Sequence, residues 1–195
     1  FGASASGANF RLVEVDDRLV AQPGMLGTVF ITHRELAQGS PPMRQLARRA
    51  AYQWWMETVG VQSPQDLWLS DGLALYSAAM YLGESGGPST FKEEVSNLAV
   101  QALTFESKSA VRVGIGLGYR SEAYESVVGG KGAWVLHMLR ELLGSVKFIQ
   151  LLQNYAQQYA AVGGSTSGFQ KLAEQLYGKE LGLSLIHISE PTRPY

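Results

Sequence analysis

The stretch ARRAAYQWWMETVGVQSPQDLWLSDGLALY, residues 47–76, decides the fold. Its first part predicts a helix that begins near Pro42 and runs to about residue 59, where Gly60 is a typical stop. SPQD, residues 63–66, then offers a serine N-cap, a proline at the first helical position and an early aspartate. The stretch therefore predicts two helices joined by a short loop.

The segments on either side of this stretch differ in character. FRLVEVDDRLV and GTVFITHREL, within residues 10–36, cluster β-branched and apolar residues around the Pro-Gly break AQPGML, which predicts two short strands at a sheet edge. Downstream, apolar residues three and four apart predict helices at 89–103, 130–143, 145–159 and 165–177. The intervening ESKSAVRVGIGLGYRSEAYESVV is predicted to be a loop.

These patterns predict a mainly α fold with a small β edge, of the α+β class. Residues 1–40 are expected to form the β-rich edge, and residues 41–182 the helical part. The chain has 195 residues, of which 46% are hydrophobic and 17% charged, enough for one sizeable core. No apolar run reaches the length of about eighteen residues that a membrane-spanning helix needs.

Charge and cysteine content exclude several kinds of chemistry. A net charge of -1 without a long basic run argues against nucleic acid as a partner, because phosphate binding needs clustered Lys and Arg. The absence of cysteine excludes disulfides, thiolate metal sites and cysteine nucleophiles. GIGLGY, residues 114–119, lacks the Lys-Ser/Thr of a phosphate-binding loop and is interpreted as an ordinary loop.

Both ends of the chain are expected to be unnatural. The chain opens at Phe1 within FGASASGANF, which has no signal-peptide pattern, so we expect its natural start to be missing and its localisation stays open. The tail LSLIHISEPTRPY, residues 183–195, resembles a translated sequencing adapter and is interpreted as an artefact. Because His187 belongs to this tail, only His33 and His137 are considered for chemistry.

YQWW and WLSDGLALY together resemble the membrane alanyl aminopeptidases, a gluzincin family of zinc peptidases with the pattern HExxHQWW followed by the glutamate of WLNEGFAxY. The resemblance implies a thermolysin-like gluzincin catalytic domain, truncated at both ends. In that family two histidines and the later glutamate bind zinc, and the glutamate of HExxH activates water. The matched spacing places Arg48 and Tyr52 at the two histidines, Arg49 at the catalytic glutamate and Asp71 at the third ligand.

Two further segments show the same departure from the family pattern. GGKGAWVLHMLR resembles YxKGAxVLxMLR, and Gly129 stands where the family has the tyrosine that stabilises the oxyanion, although glycine has no hydroxyl to donate. PGMLGTVFITHRE resembles GAMENxGLITYRE more loosely, and Leu26 stands at the glutamate that holds the substrate's amino terminus. The resemblance therefore implies that zinc ligands, general base and oxyanion tyrosine are all replaced, and no cofactor is predicted.

Two functions remain open at this point. The first is a non-catalytic aminopeptidase-like domain that binds a peptide, assembles with another protein subunit or acts as a scaffold. The alternative is an active zinc metallo-aminopeptidase with an unorthodox or misregistered site. His137 and Glu141, four apart on one predicted helix, are a weak metal candidate, since two ligands alone make a poor zinc site.

A structural hypothesis follows for the positions of the replaced ligands. We expect Arg48 and Asp71 to form an ion pair across the two helices, with two guanidinium hydrogen bonds and a third from the Tyr52 hydroxyl. The competing interpretation is that Arg48, Arg49 and Asp71 are solvated surface charges.

Overall fold

The computed structural model describes residues 10–19, 24–37 and 43–181. Within them, a small three-stranded sheet lies beside a helical body. The predicted fold class, mainly α with a small β edge, is confirmed. Pro42, the first nine residues and the segment 183–195 with His187 lie outside the described residues.

The sheet has one more strand than the sequence predicts. Strands β1 (Arg11–Val15), β2 (Gly24–Met25) and β3 (Thr28–Thr32) are arranged in the order β1-β3-β2. β1 is parallel to β3, whereas β2 is antiparallel to it. β2 lies in the Pro-Gly segment predicted as a break, because the tight turn at residues 26–27 folds these two residues back onto β3.

The first predicted long helix is confirmed, with a change of geometry near its end. A short helix, α1 (His33–Ala37), follows β3, and α2 (Met43–Tyr52) continues into a π-helical turn, Gln53–Thr58. Gly60, at a φ of +65°, lies just beyond this turn. Such a left-handed backbone is available to glycine without steric cost, which explains why the predicted stop works.

α3 (Leu67–Gly86) is the centre of the helical body. It begins after a 3-10 turn, Pro64–Asp66, at the place that SPQD predicts. Every residue from position 68 to position 79 is buried, so this part of the helix is enclosed on all its faces, whereas its last turns reach the surface. Asp71 lies within that stretch, and a buried carboxylate is stable only with matched partners.

The segment predicted as a loop before residue 130 is largely helical, so that prediction was wrong. After α4 (Pro88–Thr104), 3-10 turns at Glu106–Lys108 and Val111–Leu117 lead to α5 (Glu122–Tyr124). α5 runs through a π-helical turn, Glu125–Lys131, into α6 (Gly132–Leu143). The turn lies against α3 and α4 and all but its first residue are buried, so tertiary packing overrides the low helix propensity of its valines and glycines.

The remaining helices are close to the predicted ones. They are α7 (Ser145–Tyr159) and α8 (Thr166–Tyr177), which pack against each other. Within the described residues, no helix is both long enough and apolar enough to cross a membrane.

Glycines allow α3 and α6 to approach each other closely near Asp71. A Cβ added at Gly72 would lie 2.9 Å from the carbonyl carbon of Gly132, closer than real Cβ atoms come. The two backbones therefore meet where neither residue has a side chain, so α3 and the start of α6 pack in close contact.

Candidate functional site

Asp71 is the centre of a buried polar cluster between α2, α3 and α5. Its side chain is 0% exposed, and each of its two carboxylate oxygens accepts a tyrosine hydroxyl. Tyr52 donates to Oδ1 at 2.5 Å, and Tyr124 donates to Oδ2 at 2.7 Å. Hydrogen bonds to an ionised acceptor are among the stronger ones in proteins, so these two contacts compensate much of the cost of burying the carboxylate.

Arg48, one turn before Tyr52 on α2, lies on the same side of the cluster. Its Nη2 is 3.6 Å from Asp71 Oδ1, which is within ion-pair distance but too long for a hydrogen bond. The closer carboxylate is that of Glu125, whose Oε2 lies 2.7 Å from Arg48 Nη1. The expected geometry, with two guanidinium hydrogen bonds to Asp71, is therefore not found, because the tyrosine hydroxyls take up the oxygens of Asp71.

Arg120 supplies a second guanidinium to the cluster. Its Nη1 donates to Glu125 Oε1 at 3.0 Å and lies 3.9 Å from Asp71 Oδ1. The guanidinium carbon is 5.2 Å from the ring centroid of Tyr52 and 5.1 Å from that of Tyr119, within the range of cation-π contacts. Arg120 also has a φ of +64°, which is uncommon for a residue with a side chain and often marks a constrained site.

We name these six residues, Arg48, Tyr52, Asp71, Arg120, Tyr124 and Glu125, the Asp71 cluster. Two guanidinium cations balance two carboxylates in it, so its formal charge is zero. The interpretation of Arg48 and Asp71 as solvated surface charges is wrong, because both side chains are largely or fully buried.

Burial and neighbouring charges shift the pKa values of Tyr52, Tyr124 and Glu125. Burial, together with the negative charge of Asp71, raises the pKa of Tyr52 and of Tyr124, so both hydroxyls keep the protons that they donate. Burial works against the charge of Glu125, but Arg48 and Arg120 outweigh it and lower the pKa of that carboxyl. Both tyrosines are therefore neutral at neutral pH, and Glu125 is ionised between two guanidinium groups.

The donor set of the Asp71 cluster does not fit a zinc ion. Zinc needs three or four His, Cys, Asp or Glu ligands, and no such group of three occurs among the residues that the structure describes. Both Asp71 oxygens already accept hydrogen bonds from tyrosine hydroxyls. Two guanidinium groups also approach within 4 Å of Oδ1. A divalent cation would meet two fixed positive charges there.

Arg49, which the resemblance places at the general base, points away from Asp71. Its guanidinium donates to both oxygens of Glu35, at 2.8 and 2.9 Å, and to the carbonyl oxygen of Phe30 at 3.0 Å. Because Phe30 belongs to β3 and Glu35 to α1, Arg49 ties α2 to the sheet. Its role in the fold is a structural one.

Leu26 lies on the turn between β2 and β3, and it has no part in the Asp71 cluster as the structure describes it. That turn is held by Gln53 of YQWW, which accepts from Gly27 N at 2.6 Å and donates to the carbonyl oxygen of Met25 at 3.1 Å. The glutamine following Tyr52 therefore joins the π-helical turn to the sheet. It is fully buried and has matched partners.

Gly129 lies directly beside the Asp71 cluster, on the π-helical turn before α6. A Cβ added there would be 3.5 Å from Arg48 Nη2 and 3.5 Å from Glu125 Oε2, ordinary contact distances. The matched segment thus brings Gly129 to the same site as Arg48 and Asp71. Lys131, two residues on, is buried, and its Nζ lies 3.8 Å from Glu106 Oε1.

His33 and His137, the histidines that the structure describes, lie outside the Asp71 cluster. His33 Nδ1 is 2.6 Å from Glu14 Oε1 on the exposed sheet edge. His137 Nδ1 is 3.1 Å from the Tyr76 hydroxyl, and the ring packs against Trp134 and Phe91. His137 is therefore a half-buried histidine with a tyrosine partner and aromatic neighbours, and nothing in the described residues pairs it with Glu141 around a metal.

A comparison of the sequence with models of protein families tests the family resemblance that the motifs indicate. The model of the peptidase family M1 domain matches residues 45–187, nearly three quarters of the chain. The chain belongs to peptidase family M1. The match begins within α2, includes α3, α5 and the whole Asp71 cluster, and overlaps the start of the segment 183–195.

Curated proteins that this chain is similar to are named as aminopeptidases. The chain is 25% identical over 122 residues to endoplasmic reticulum aminopeptidase 2 of Homo sapiens, covering 60% of the chain and 13% of that protein. It is 29% identical over 127 residues to aminopeptidase Ey of Gallus gallus, covering 59% of the chain and 13% of that protein. The chain therefore spans only a small part of the length of these relatives.

The fold agrees with that of a solved M1 structure. A mutant M1 zinc metallopeptidase from Deinococcus radiodurans, bound to a Tyr-Ser-Ala substrate, superposes with a TM-score of 0.73 at 20% identity. The superposition covers 95% of the chain and 40% of that structure. The predicted gluzincin fold is thereby confirmed for this M1 domain.

Three residues of the Asp71 cluster were missed by sequence reasoning, namely Arg120, Tyr124 and Glu125. All three lie in the segment predicted as a loop. A local signal was present, since Ser121 precedes an acidic residue, and its hydroxyl accepts from Tyr124 N at 3.1 Å as a helix N-cap. The matched M1 motifs lie on α2 and α3, whereas this short helix carries no matched motif.

Proposed function

We propose that this chain is a non-catalytic M1 aminopeptidase-like domain, in which an internal ionic cluster takes the structural place of a metal centre. Its role is to bind a peptide, to assemble with another subunit or to act as a scaffold, without peptide hydrolysis. The single observation that carries the proposal is the pairing of both Asp71 oxygens with the hydroxyls of Tyr52 and Tyr124.

The surrounding charges support the same conclusion. Arg48 and Arg120 both approach Asp71 Oδ1 within 4 Å, so the position that the motif register gives to the third zinc ligand is electrostatically closed to a cation. Arg49 is engaged with Glu35 and cannot accept a proton from water, because a guanidinium has no acceptor atom. Gly129 supplies no hydroxyl for an oxyanion.

The Asp71 cluster also provides the packing that a structural metal provides elsewhere. Tyr52 and Arg48 join α2 to Asp71 on α3, Tyr124 joins α5 to α3, and Glu125 joins the turn after α5 to Arg48 on α2. Breaking one partner of a buried ion pair is strongly destabilising. The proposed role of the cluster is therefore to hold these three helices in the M1 arrangement.

A metal analysis tests this proposal directly. The 195-residue chain is purified without chelator, incubated with one equivalent of zinc, desalted and analysed by inductively coupled plasma mass spectrometry. We expect well under a tenth of an equivalent of zinc to remain. Stoichiometric zinc that a chelator removes would refute the proposal and favour the alternative, an active zinc aminopeptidase with an unorthodox or misregistered site.

A histidine variant and an activity assay complete the test. If zinc is retained and is lost in His137→Ala but not in His33→Ala, the metal lies at the α6 histidine rather than at the Asp71 cluster. Hydrolysis of alanyl, leucyl and arginyl amidomethylcoumarin is measured in parallel. We expect no release of fluorophore above the buffer rate, with or without added zinc.

A further inference from the structure

Two guanidinium edges in the Asp71 cluster make no hydrogen bond. The Nε and Nη2 atoms of Arg48, and the same two atoms of Arg120, are buried and have no acceptor in the described part of the chain. Buried polar groups in proteins are nearly always paired, and each unpaired group needs an explanation. Here the same edge is unpaired in both arginines.

This edge is the one that recognises a carboxylate. Nε and Nη2 present two parallel N–H groups in one plane, and such a fork matches the two oxygens of a carboxylate or phosphate. The carboxylates of the cluster make no hydrogen bond to it, although Arg48 Nη2 lies 3.6 Å from Asp71 Oδ1. Glu125 pairs with Nη1 of each arginine, at 2.7 Å and 3.0 Å, and Asp71 accepts its hydrogen bonds from tyrosines.

The two guanidinium groups are held in place and lie near the surface. The guanidinium carbon of Arg120 lies over the rings of both Tyr52 and Tyr119, and these two cation-π contacts restrain it. The side chains of Arg48 and Arg120 are 17% and 18% exposed, so both side chains reach the surface, although their unpaired Nε and Nη2 atoms are themselves buried. Gly129 adds no side chain beside Arg48 Nη2.

Charge decides between the anions that fit such a fork. The cluster is already balanced by Asp71 and Glu125, so a phosphate dianion would add two negative charges beside two fixed carboxylates. A carboxylate adds one, and its planar shape meets the fork with both oxygens. The surplus in the cluster is one of hydrogen-bond donors rather than of positive charge, which favours a single, planar, monoanionic acceptor.

We propose that Arg48 and Arg120 form a carboxylate-binding site that takes the terminal carboxylate or an acidic side chain of a peptide. The proposal deepens the non-catalytic function above and rests on it, because the site occupies the position that the M1 motif register gives to the metal. The ligand is held by its carboxylate and is not cleaved.

The first experiment observes the arginines themselves. Uniformly 15N-labelled chain is titrated, in the presence of EDTA, with acetyl-Ala-Ala as the free acid, with its C-terminal amide, with acetate and with inorganic phosphate. We expect the acid to shift the Nε–H resonances of Arg48 and Arg120 in a saturable manner, and the amide to leave them unchanged. Acetate binding as tightly as the peptide acid would identify a small monocarboxylate as the ligand.

Charge-conserving variants distinguish recognition by the planar pair of guanidinium donors from attraction by positive charge alone. Arg48→Lys and Arg120→Lys keep the charge but lose the planar pair of donors, so each is expected to weaken binding of acetyl-Ala-Ala at least tenfold. Arg140→Lys is the matched control, because Arg140 lies on α6 with its guanidinium over Phe91 of α4, and this variant is expected to retain the affinity of the unsubstituted chain. Circular dichroism confirms that each variant is folded.

The outcomes that overturn the site are distinct from those that overturn the non-catalytic function. Equal binding of the acid and the amide, tighter binding of phosphate than of the acid, or unchanged Nε–H resonances at millimolar ligand would each refute it. The resonances are read on the unsubstituted chain, so the test stands even where a lysine variant does not fold. Zinc retention, measured separately, bears only on the proposed function.

Discussion

The hydroxyl of Tyr124 donates a hydrogen bond of 2.7 Å to Oδ2 of Asp71, across 53 positions of the sequence. Tyr52 donates to the other oxygen of the same carboxylate. Asp71 is thereby bound from α2 and from α5 at once, and neither contact reaches water. The carboxylate thus connects three helices in the interior. Removing one hydroxyl donor would leave a buried carboxylate oxygen without a hydrogen-bond partner, and water could not replace that donor.

Loss of the Tyr124 hydroxyl is expected to destabilise the chain. Tyr124→Phe keeps the buried ring but removes the donor to Asp71 Oδ2, and the unsatisfied charged acceptor costs about 1–3 kcal/mol in the free energy of unfolding. Urea denaturation followed by circular dichroism measures this difference. Tyr81→Phe, at a tyrosine that is 52% exposed, is the matched control and changes stability by less than about 0.5 kcal/mol. Equal effects of the two substitutions would contradict the role of Tyr124.

Neutralising Asp71 is expected to cost more than removing one of its donors. Asp71→Asn leaves Arg48 and Arg120 with Glu125 as their single carboxylate, and unbalanced buried charge of this kind costs about 3–5 kcal/mol. Glu84→Gln removes a carboxylate from an exposed position of the same helix and serves as the control. An Asp71→Asn variant as stable as Glu84→Gln would show that the cluster does not hold α2, α3 and α5 together.

The stability of the chain is expected to fall in acid because of Glu125. Burial would raise the pKa of this carboxyl, but the charges of Arg48 and Arg120 bring it below its ordinary value of 4.5. A carboxyl whose pKa is lower in the folded state binds fewer protons there, so it stabilises the fold above its unfolded pKa. That contribution is lost as the pH falls through the folded pKa.

Urea midpoints between about pH 6 and about pH 3 measure this dependence. The Glu125→Gln variant is expected to be less stable at neutral pH and to show a shallower decline in acid. Glu93→Gln, on the exposed face of α4, should decline as steeply as the unsubstituted chain. A Glu125→Gln curve parallel to that of the unsubstituted chain would mean that this carboxyl is not responsible.

The sequence predicts most of the helical body and half of the Asp71 cluster. The bounds of α7 are predicted without error, because its apolar residues recur at helical spacing and the Gly144 before it marks a boundary. Arg48, Tyr52 and Asp71 are brought together as expected, because the spacing of two M1 motifs fixes their position on α2 and α3. Periodicity and motif spacing are local properties, which is why they are visible in one sequence.

The other half of the cluster depends on tertiary packing. Val127 and Val128, followed by two glycines, have low helix propensity, and they are helical only because α3, α4 and the 3-10 turn before α5 enclose them. The contact of Glu125 with Arg48 follows from that packing and has no sequence signature. For the same reason the expected two-bond geometry between Arg48 and Asp71 was wrong, since the competing Tyr124 donor could not be foreseen.

Gly129 provides a further test of how this site is packed. In Gly129→Ala the new methyl group would meet Arg48 Nη2 and Glu125 Oε2 at 3.5 Å and Leu75 Cδ2 at 3.9 Å, without overlap. Because alanine loses less backbone entropy than glycine within a helix, we expect the free energy of unfolding to rise by about 0.5–1 kcal/mol. Urea denaturation gives the value.

Gly72→Ala is the opposite case on the neighbouring helix and the natural comparison. Its methyl group would lie 2.9 Å from a backbone carbon of Gly132 and 3.1 Å from Ala133 N, and backbone atoms cannot move aside as the end of a side chain can. We expect α3 and α6 to be forced apart, with a loss of about 1–3 kcal/mol. If Gly129→Ala proved as damaging as Gly72→Ala, the space beside Arg48 would be closed, and a carboxylate could not reach its guanidinium edge from that side.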